Sequence, residues 1–586
     1  MADEESIVLG IDLGTTFSAM SYVNHYGKAE IIPNAEGFAT TPSVVHFYEE
    51  EGCVVGDEAV KMVVIDPENV VRFIKRNMGE EDFVLDFWDR AYTPQEVSAL
   101  ILKKLKEDAE QLLGKTITDA VITVPAYFNS AQRGATAEAG AIAGLNVLSI
   151  INEPTAAAIA YGLDNIGEHR KLLVFDLGGG TFDVTCMHIR GTRLTTVASD
   201  GNAELGGKDW DDRLLNYVAE EFVMKHDLDP RDDPAPYQEL YERCLHAKIS
   251  LSTKERAVIP VNYRGKRMVV PVKRVAFEEM SQDLVQQCED TANLVLEKAK
   301  WAWSDLDDVL LVGGSTRMPM IREALKRLAG RDPAANVNPD ECVATGAGLA
   351  GVFRHRPNHP ALQQRRKAMV DKARHKRPVS RPSPDELEDE DDGVTQPGAA
   401  TRIPKALPPK PAPRPAGSPA PAAIGLAYGG HVAQQALKVD NRILPPVTIE
   451  DCTTHPLGII VLDRARKERV VELIPDGTQV PHEVRGRFAY AYENMTAVRV
   501  EVTEGVGSTR DEVAVIGKVE LTGLPPRPRG TPIEVIYAYG VDQILSVRVI
   551  DIETGRSRAA QIRFLGGMSP DDVKRARDRT RRIAVD

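Results

Sequence analysis

The stretch DLGGGTFD at residues 176–183 follows the apolar run LLVF at 172–175, so a glycine-rich turn stands where a buried strand ends. A second turn, GIDLGTT at 10–16, follows the apolar residues 7–9. Glycines lack the Cβ atom that would keep a phosphate oxygen away from backbone N–H groups, and the threonine hydroxyls add donors. An aspartate at each strand end suits magnesium, which takes few protein oxygens. One such turn is compatible with an ordinary hairpin, but two favour a phosphate site.

A third glycine turn, GGSTR at 313–317, follows the apolar run VLLV at 309–312. Alone it is a weak signal, but in series with the first two it is typical of a nucleotide held between two lobes. Apolar runs alternate with helical patterns such as 95–113 and 278–300. Strands interleaved with helices predict an α/β fold for this part of the chain.

Two other stretches resemble phosphate-binding motifs but do not meet their requirements. The GKT at 114–116 lacks the glycine that a Walker A loop requires five positions before Gly114, where the chain has Ala109. The stretch GAGLAG at 346–351 matches G-x-G-x-x-G, but no strand directly precedes it and NPD at 338–340 predicts a helix start. We interpret its small residues as allowing a helix to pack closely.

Two charged residues are further candidates because of their context. Lys75, in RFIKR, could stabilise the charge of a transferring phosphate. Glu153, in INEPTAAA, stands where a helix could begin with Pro154 at its first position. Taken alone, Lys75 reads as a solvated surface lysine and Glu153 as a helix cap.

The composition limits the class of protein. The chain has 586 residues, too many for one hydrophobic core, and a net charge of -14, which argues against a general nucleic-acid binder. Six cysteines without a Cys-x-x-Cys pair suit a reducing compartment. The acidic start MADEES predicts no signal peptide, and no apolar run approaches the ~20 residues of a membrane helix. We expect a cytoplasmic monomer without a nucleic-acid or membrane partner.

Composition shifts predict four segments. The α/β part covers 1–357 and a disordered linker rich in Pro and charge covers 358–440, with DELEDEDD at 385–392. Short runs of strand character separated by Gly, Pro and Asp predict an antiparallel β-sandwich over 441–565. Residues 566–586 predict a short basic helix or tail.

The motifs together resemble those of the heat-shock protein 70 chaperones. They occur in the family's order over nearly all of 6–353: GIDLGTT, VPAYFN, QRGAT, INEPTAAA, DLGGGTFD, LGGKDWD, VGGSTRMP and NPDECVATGA. The resemblance implies the actin/hexokinase type of ATPase fold, in which two lobes enclose a nucleotide cleft.

The resemblance also implies site residues. Asp12 and Asp176 would hold magnesium through water, with potassium nearby, and Lys75 would face the γ-phosphate of ATP and the attacking water. Glu153, Asp176 and Thr181 would complete the hydrolytic site. Pro125 and Arg133 would relay the nucleotide state. The nucleotide would be contacted by Gly14, Thr15, Thr16, Phe17, Gly178, Gly179, Gly180, Gly313, Gly314 and Ser315, and its adenosine surrounded by Lys248, Ser252, Arg317 and Asp340.

The sandwich region resembles the family's peptide-binding domain through THPLGI at 454–459 and AYENMTAVRVEVTEG at 491–505. By this alignment a peptide pocket would be lined by Ile459, Phe488, Val498 and Val500, with Leu462 and Ala491 arching over it. The alternative is that these residues are core residues of the sandwich.

The chain departs from the family pattern at several positions. Leu245 and Lys208 replace glutamates of the nucleotide cleft, and Ser149 replaces an arginine that contacts J-domain co-chaperones. Only VTIED at 447–451 resembles the interdomain linker, and the helical lid is nearly absent. We therefore expect altered nucleotide exchange and weaker, faster peptide binding, and the departures put a J-domain partner in doubt.

Three hypotheses about function follow. The leading one is an ATP-dependent chaperone that hydrolyses ATP and binds extended apolar segments of unfolded polypeptides, with co-chaperones and an exchange factor that the sequence does not identify. The second is a nucleotide-sensing scaffold that recruits a dedicated protein partner. The third, a small-molecule kinase on the same fold, leaves the β-domain without a purpose.

Overall fold

The computed structural model describes residues 7–355 and 448–585, together with 438–439 and 442–443. Short gaps in this description fall at 81, 163–168, 191–192, 335–336, 464, 541–543 and 563–567. The described residues of 7–355 and 448–585 belong to one compact unit. Within 367–446 the described strands are β18 (Lys438–Val439) and β19 (Arg442–Ile443), which pair antiparallel. The predicted linker 358–440 otherwise lies outside the described residues.

The first lobe is built on a sheet with strand order β11-β10-β1-β2-β3. Its elements are β1 (Val8–Asp12), β2 (Phe17–Val23), β3 (Ala29–Ile32), β4 (Thr41–Pro42), β5 (Val45–Glu49), β6 (Gly52–Val55), α1 (Asp57–Met62), β7 (Val70–Val71), β8 (Leu85–Phe87), β9 (Arg90–Tyr92), α2 (Pro94–Leu113), β10 (Asp119–Val124), α3 (Ser130–Ile142), β11 (Asn146–Asn152) and α4 (Glu153–Gly162). Strands β1 and β10 pair in parallel and β1 and β2 antiparallel. The first phosphate-type turn is therefore the connection between two central strands.

The second lobe repeats this plan with the order β17-β12-β13-β14-β20. Its elements are β12 (His169–Leu177), β13 (Phe182–Arg190), β14 (Arg193–Asn202), α5 (Gly207–His226), α6 (Pro234–Leu251), β15 (Arg256–Tyr263), β16 (Lys266–Lys273), α7 (Arg274–Met280), α8 (Gln282–Ala299), β17 (Asp308–Val312) and α9 (Pro319–Ala329). Helix α10 (Cys342–His355) follows them in the chain and returns to the first lobe. Strands β12 and β13 pair antiparallel around DLGGGTFD. The predicted α/β architecture is confirmed.

Glycines allow helix α10 to lie against the first lobe. A Cβ atom on Gly346 would be 1.8 Å from the carbonyl oxygen of Ala156, and one on Gly10 would be 2.0 Å from the backbone nitrogen of Gly348. The close helix packing predicted for GAGLAG is confirmed. Gly114 of the rejected GKT motif ends helix α2 with a positive φ of 62°, as a C-terminal cap does.

The predicted β-sandwich is confirmed as two four-stranded antiparallel sheets, β22-β21-β24-β25 and β23-β26-β27-β28. Its strands are β21 (Leu457–Leu462), β22 (Glu468–Ile474), β23 (His482–Ala489), β24 (Val498–Glu504), β25 (Ala514–Leu521), β26 (Pro532–Tyr539), β27 (Leu545–Asp551) and β28 (Ser557–Ile562). Alternate residues of β24, β26 and β27 face inward, among them Val502, Val535 and Val547, each 0% exposed.

Three elements outside the sandwich contact the ATPase lobes. Strand β20 (Thr448–Glu450) pairs in parallel with Arg193–Thr195 of β14. After the sandwich come helix α11 (Pro570–Thr580) and strand β29 (Ala584–Val585), and β29 pairs in parallel with β6. The predicted short basic helix is present, but its packing on the first lobe was not foreseen. Among the described residues, no helix is long and apolar enough to cross a membrane.

Candidate nucleotide site between the two lobes

A cleft of about 630 Å³ opens between the lobes where their glycine turns meet. Its lining includes every predicted nucleotide, magnesium and catalytic residue except Gly180: Asp12, Gly14, Thr15, Thr16, Phe17, Lys75, Glu153, Asp176, Gly178, Gly179, Thr181, Lys248, Ser252, Gly313, Gly314, Ser315, Arg317 and Asp340. Residues separated by more than 300 positions in the chain thus converge on one cavity.

The two phosphate-type turns pack against each other. A Cβ atom on Gly179 would lie 1.7 Å from Thr16 Oγ1, and one on Gly180 would lie 2.3 Å from Thr15 Cγ2. Gly180 therefore lies behind the wall of the cleft, where its carbonyl oxygen accepts a hydrogen bond of 2.9 Å from Arg76 Nε. The absence of Cβ atoms therefore lets the two turns pack against each other, and it also lets a ligand approach their backbone N–H groups.

A buried ion pair joins Lys75 and Glu153. Lys75 Nζ donates to Glu153 Oε1 at 2.7 Å, and the side chains are 6% and 8% exposed. Lys75 belongs to the 3-10 turn Ile74–Asn77, and Glu153 is the first residue of α4. The solvated lysine and the simple helix cap are therefore not what the structure shows. Since few buried lysines occur without a partner, this pair marks a place where charge is required.

Three aspartates lie near this pair, of which Asp176 and Asp183 are buried and Asp12 is partly buried. Burial, followed by the charge of Glu153, raises the pKa of Asp12 and of Asp183 to about 7 and that of Asp176 well above its usual range. Such carboxylates are stabilised in their charged form by a nearby cation. In the described part of the chain, no three acidic, histidine or cysteine side chains are close enough together to bind a metal ion directly. Carboxylate oxygens are the donors that magnesium takes from proteins, so Asp12 and Asp176 fit the magnesium ion that the family resemblance implies.

These pKa values predict that the nucleotide-free chain becomes more stable from about pH 8 to about pH 6. A carboxyl group with a pKa near 7 when folded, against about 3.9 when unfolded, takes up a proton on folding in this range. Folding is therefore favoured as the pH falls. Thermal unfolding of Asp183→Asn, which removes one such group, should show a smaller dependence on pH. An equal dependence in both chains would contradict the raised pKa of Asp183.

Of the four residues predicted to surround the adenosine, Lys248, Arg317 and Asp340 already form ion pairs within the protein. Lys248 Nζ lies 2.9 Å from Asp211 Oδ2, and Arg317 pairs with Asp340 at 2.5 Å. The sequence reasoning missed Arg72 and Tyr241, which also line the cleft. The Arg72 guanidinium lies 4.9 Å from the centre of the Tyr241 ring and pairs across the cleft with Glu242 at 2.6 Å. Arg72 and Tyr241 belong to no sequence motif, because they lie on different lobes and meet only in the folded chain.

The predicted peptide-pocket residues lie in and beside the core of the sandwich. Ile459, Val498 and Val500 are 3%, 5% and 2% exposed, and Phe488 packs against the same cluster while partly buried. Leu462 and Ala491 are of intermediate exposure. The structure thus brings four of the six residues together in one cluster, where three are closed off from solvent.

Polar contacts join the sandwich to the ATPase lobes. Asp451 is 4% exposed, and its Oδ1 accepts hydrogen bonds of 2.9 Å from the hydroxyls of both Thr155 and Thr196. Glu504 accepts from the backbone N–H of Ser130 at the start of α3, at 2.9 Å. The predicted relay residue Arg133 lies between, donating to Asn152 Oδ1 at 2.6 Å, next to Glu153. A continuous set of contacts therefore leads from the cleft to the sandwich.

The paired sheets and the cleft define a two-lobed nucleotide-binding protein of the actin/hexokinase type with an attached β-sandwich. The sequence pattern of the Hsp70 protein family matches residues 8–359 and 420–585. The chain belongs to the Hsp70 family of ATP-dependent chaperones.

Its relatives span almost the whole chain. The chaperone protein DnaK of Thermotoga neapolitana is 36% identical over 584 residues, which cover 98% of this chain and 83% of the relative. The chaperone proteins DnaK of Thermotoga maritima and Thermosipho africanus are also 36% identical, with the same coverage. Hsp70 proteins in general are ATPases that bind ATP with Mg²⁺ and bind unfolded polypeptides and co-chaperones. The comparisons confirm the resemblance and favour the chaperone over the scaffold.

Proposed function

We propose that this chain hydrolyses ATP to ADP and phosphate in the cleft. The observation that carries the proposal is the buried pair of Lys75 and Glu153 beside the carboxylates of Asp12 and Asp176. Lys75 neutralises charge on the γ-phosphate and positions the attacking water, towards which Glu153 presents a carboxylate oxygen. The Thr181 hydroxyl, 6% exposed as a residue, lines the same cavity.

Asp12 and Asp176 would hold magnesium through water, where the ion would supply positive charge to the phosphate oxygens. The glycine turns offer backbone N–H groups to the phosphates through Gly14, Gly179 and Gly314, and the hydroxyls of Thr15, Thr16 and Ser315 stand beside them. The N–H groups of Gly178 and Gly313 donate instead to the carbonyl oxygens of Thr181 and Pro339, which holds the turns in shape. Lys248, Ser252, Arg317 and Asp340 surround the adenosine. Potassium is a further proposal, supported by the number of buried carboxylates.

The sandwich would bind extended apolar segments beside Phe488, Leu462 and Ala491, above the buried Ile459, Val498 and Val500. Phe488 supports this proposal, because it packs on the core cluster while part of its surface stays accessible. Helix α11, which follows the sandwich among the described residues, has 11 residues and packs on the first lobe. Such a helix cannot cover a bound peptide there.

We propose that the chain divides into four segments: 1–357, 358–440, 441–565 and 566–586. The hydrogen bond of 3.3 Å between Ser149 Oγ and His355 Nε2 gives Ser149 a partner within the chain, which adds to the doubt about a J-domain partner. All six cysteines are buried, which agrees with a reducing compartment such as the cytoplasm.

We expect an extended apolar peptide to stimulate ATP turnover several-fold. The two activities are coupled only if ATP and ADP states differ in peptide affinity, and Asp451 lies on the contact path between them. Steady-state turnover is measured with the peptide, with a charged peptide of equal length, and with neither. Asp451→Ala should reduce the stimulation while leaving basal turnover. If the peptide does not stimulate ATP turnover of the parent chain, the nucleotide-sensing scaffold becomes the better hypothesis. If the peptide stimulates Asp451→Ala fully, the contacts of Asp451 do not couple the two activities.

A further inference from the structure

Basic side chains from three neighbouring strands meet at one end of the second lobe's sheet. His169 of β12 pairs with Arg190 of β13, which pairs in turn with Arg193 of β14. In the next row, Lys171 of β12 pairs with His188 of β13. Because alternate residues of a strand point to the same side of a sheet, these five residues share one face, which we call the basic face. Like charges directly opposite each other, such as Arg190 and Arg193, reduce stability.

Contacts with an aromatic ring hold part of the basic face in place. Trp301 lies two residues beyond the end of α8 and is half-buried. Lys171 Nζ lies 5.0 Å from the centre of the Trp301 ring, and the His188 ring meets it edge to face at 6.0 Å. Arg190 Nε donates to the His188 ring, 3.1 Å from Nδ1. Side chains that are already held by neighbours lose less conformational freedom when they bind a ligand.

The positive charge of the basic face is poorly neutralised. Within the described part of the chain, no ion pair involves His169, Lys171 or Arg190. Burial lowers the pKa of His188, and the charges of these three neighbours lower it further, whereas Asp307 acts in the opposite direction. The chain as a whole has a net charge of -14, so this face differs in sign from the protein that carries it. Arrangements that cost stability in this way are typical of functional surfaces.

One corner of the basic face already holds a carboxylate from an extended segment. Glu450 of β20 accepts a hydrogen bond of 3.0 Å from Thr195 Oγ1 and pairs with Arg193 at 3.3 Å. Since β20 lies parallel beside β14, this carboxylate comes from an extended chain. Alternate residues of such a chain are about 7 Å apart, and the cations that follow one another along each strand of the face have the same spacing. Acidic residues at alternate positions therefore match the face.

We propose that the basic face binds an extended acidic segment of a partner protein, in which carboxylates at alternate positions pair with Lys171 and Arg190. A nucleic acid is disfavoured, because its binding draws on many phosphate contacts and this face has few cations. Trp301 is half-buried against Lys171, so it is not free to stack on a base or to enter a membrane. The cleft lining includes none of the five residues, and the proposal does not depend on ATP hydrolysis.

The first test measures affinity by calorimetry on the full chain without nucleotide. The probe is a short peptide that alternates Glu and Thr, and its control alternates Lys and Thr. We expect saturable binding of the acidic peptide alone. Lys171→Glu and Arg190→Glu should each weaken it about tenfold or more, because attraction becomes repulsion, and Arg190→Gln should weaken it less.

The matched control variant is Lys266→Glu on β16, because Lys266 is exposed and forms no ion pair with a described residue. It should leave the affinity for the acidic peptide within about twofold of the parent, since a single distant surface charge is screened by salt. The absence of saturable binding, or an equal loss of affinity in Lys266→Glu and Arg190→Glu, would overturn the proposal.

The second test asks where the peptide binds and what class of ligand the face prefers. The His188 ring is followed by NMR in histidine-labelled full chain and is assigned with His188→Gln. Bound carboxylates offset the charges around His188, so the acidic peptide should raise its pKa. A single-stranded oligonucleotide and vesicles of anionic lipid are compared with the peptide at equal salt. An unchanged titration of His188, or tighter binding of the oligonucleotide or the vesicles, would overturn the proposal.

Discussion

Lys75→Ala is expected to lower the turnover number for ATP about a hundred- to a thousandfold while leaving nucleotide affinity within a few-fold of the parent. The Lys75 ammonium is the cation of a buried pair in the cleft where we propose that the γ-phosphate lies, whereas the substitution leaves the glycine turns and the proposed adenosine contacts unchanged. An interaction that is stronger in the transition state than in the ground state lowers turnover more than affinity when it is removed. Single-turnover hydrolysis and equilibrium binding measure the two effects separately.

The control is Lys61→Ala, because the Lys61 side chain is 64% exposed and lies outside the cleft lining. It should leave turnover unchanged. Thr181→Ala should also reduce turnover with little loss of binding. Since Lys75→Ala leaves Glu153 as an uncompensated buried charge, the variant should unfold at lower temperature without nucleotide. A turnover number equal to that of the parent would refute the catalytic assignment of Lys75.

Gly346→Ala is expected to destabilise the ATPase domain by about 3 kcal/mol, the upper end of the usual cost of overpacking. The new Cβ atom would lie 1.8 Å from the carbonyl oxygen and 2.4 Å from the carbonyl carbon of Ala156 in helix α4. These are backbone atoms, so relief requires α10 and α4 to separate. Helix α4 begins with Glu153, and its displacement should also weaken nucleotide binding.

The matched control is Gly114→Ala. No atom lies within 4 Å of a Cβ placed there, but φ is 62°, so only the left-handed backbone is strained, at about 1 kcal/mol. Thermal unfolding of the full chain ranks the two variants, with the parent as reference. Equal loss of stability in both would mean that the close approach of α10 and α4 has little energetic weight.

The elements that the sequence predicted well are those whose pattern is local. The helical pattern over 95–113 agrees with α2 to within one residue, and the ends of this helix also carry local signals: a capping box of Thr93 and Glu96 at its start and Gly114 at its end. The pattern over 278–300 marks two helices, α7 and α8, whose boundary falls at Ser281. Strand alternation likewise identified the sandwich, although not which strands share a sheet.

The site was predictable where a motif carries its own chemistry. The glycine turns and their aspartates predict a phosphate site, and in the structure these residues line one cleft. Gly180 was assigned to the ligand because it sits in the motif, yet it packs on Thr15. Arg72 and Tyr241 could not be found, since their meeting depends on the closure of two lobes.

The packing of 568–585 also lay beyond the sequence. The charged pattern of SPDDVKRARDRTRRI describes an exposed basic helix, and only the isolated Ala576 and Ile583 mark a buried side. Two apolar residues are too few to define a periodic face. Their partners on α2 and β6 are more than 450 positions earlier in the chain.

The two lobes differ in where their fifth strand comes from. The first sheet ends in β3, which follows β2 directly, whereas the second ends in β20, more than 240 residues after β14. Whenever β20 leaves, the N–H and C=O groups of Arg193–Thr195 lose their partners along that edge. A bare sheet edge pairs with any extended chain, including another copy of the same protein. The degree of self-association at high protein concentration should therefore increase with the fraction of molecules in which β20 has left the edge of β14.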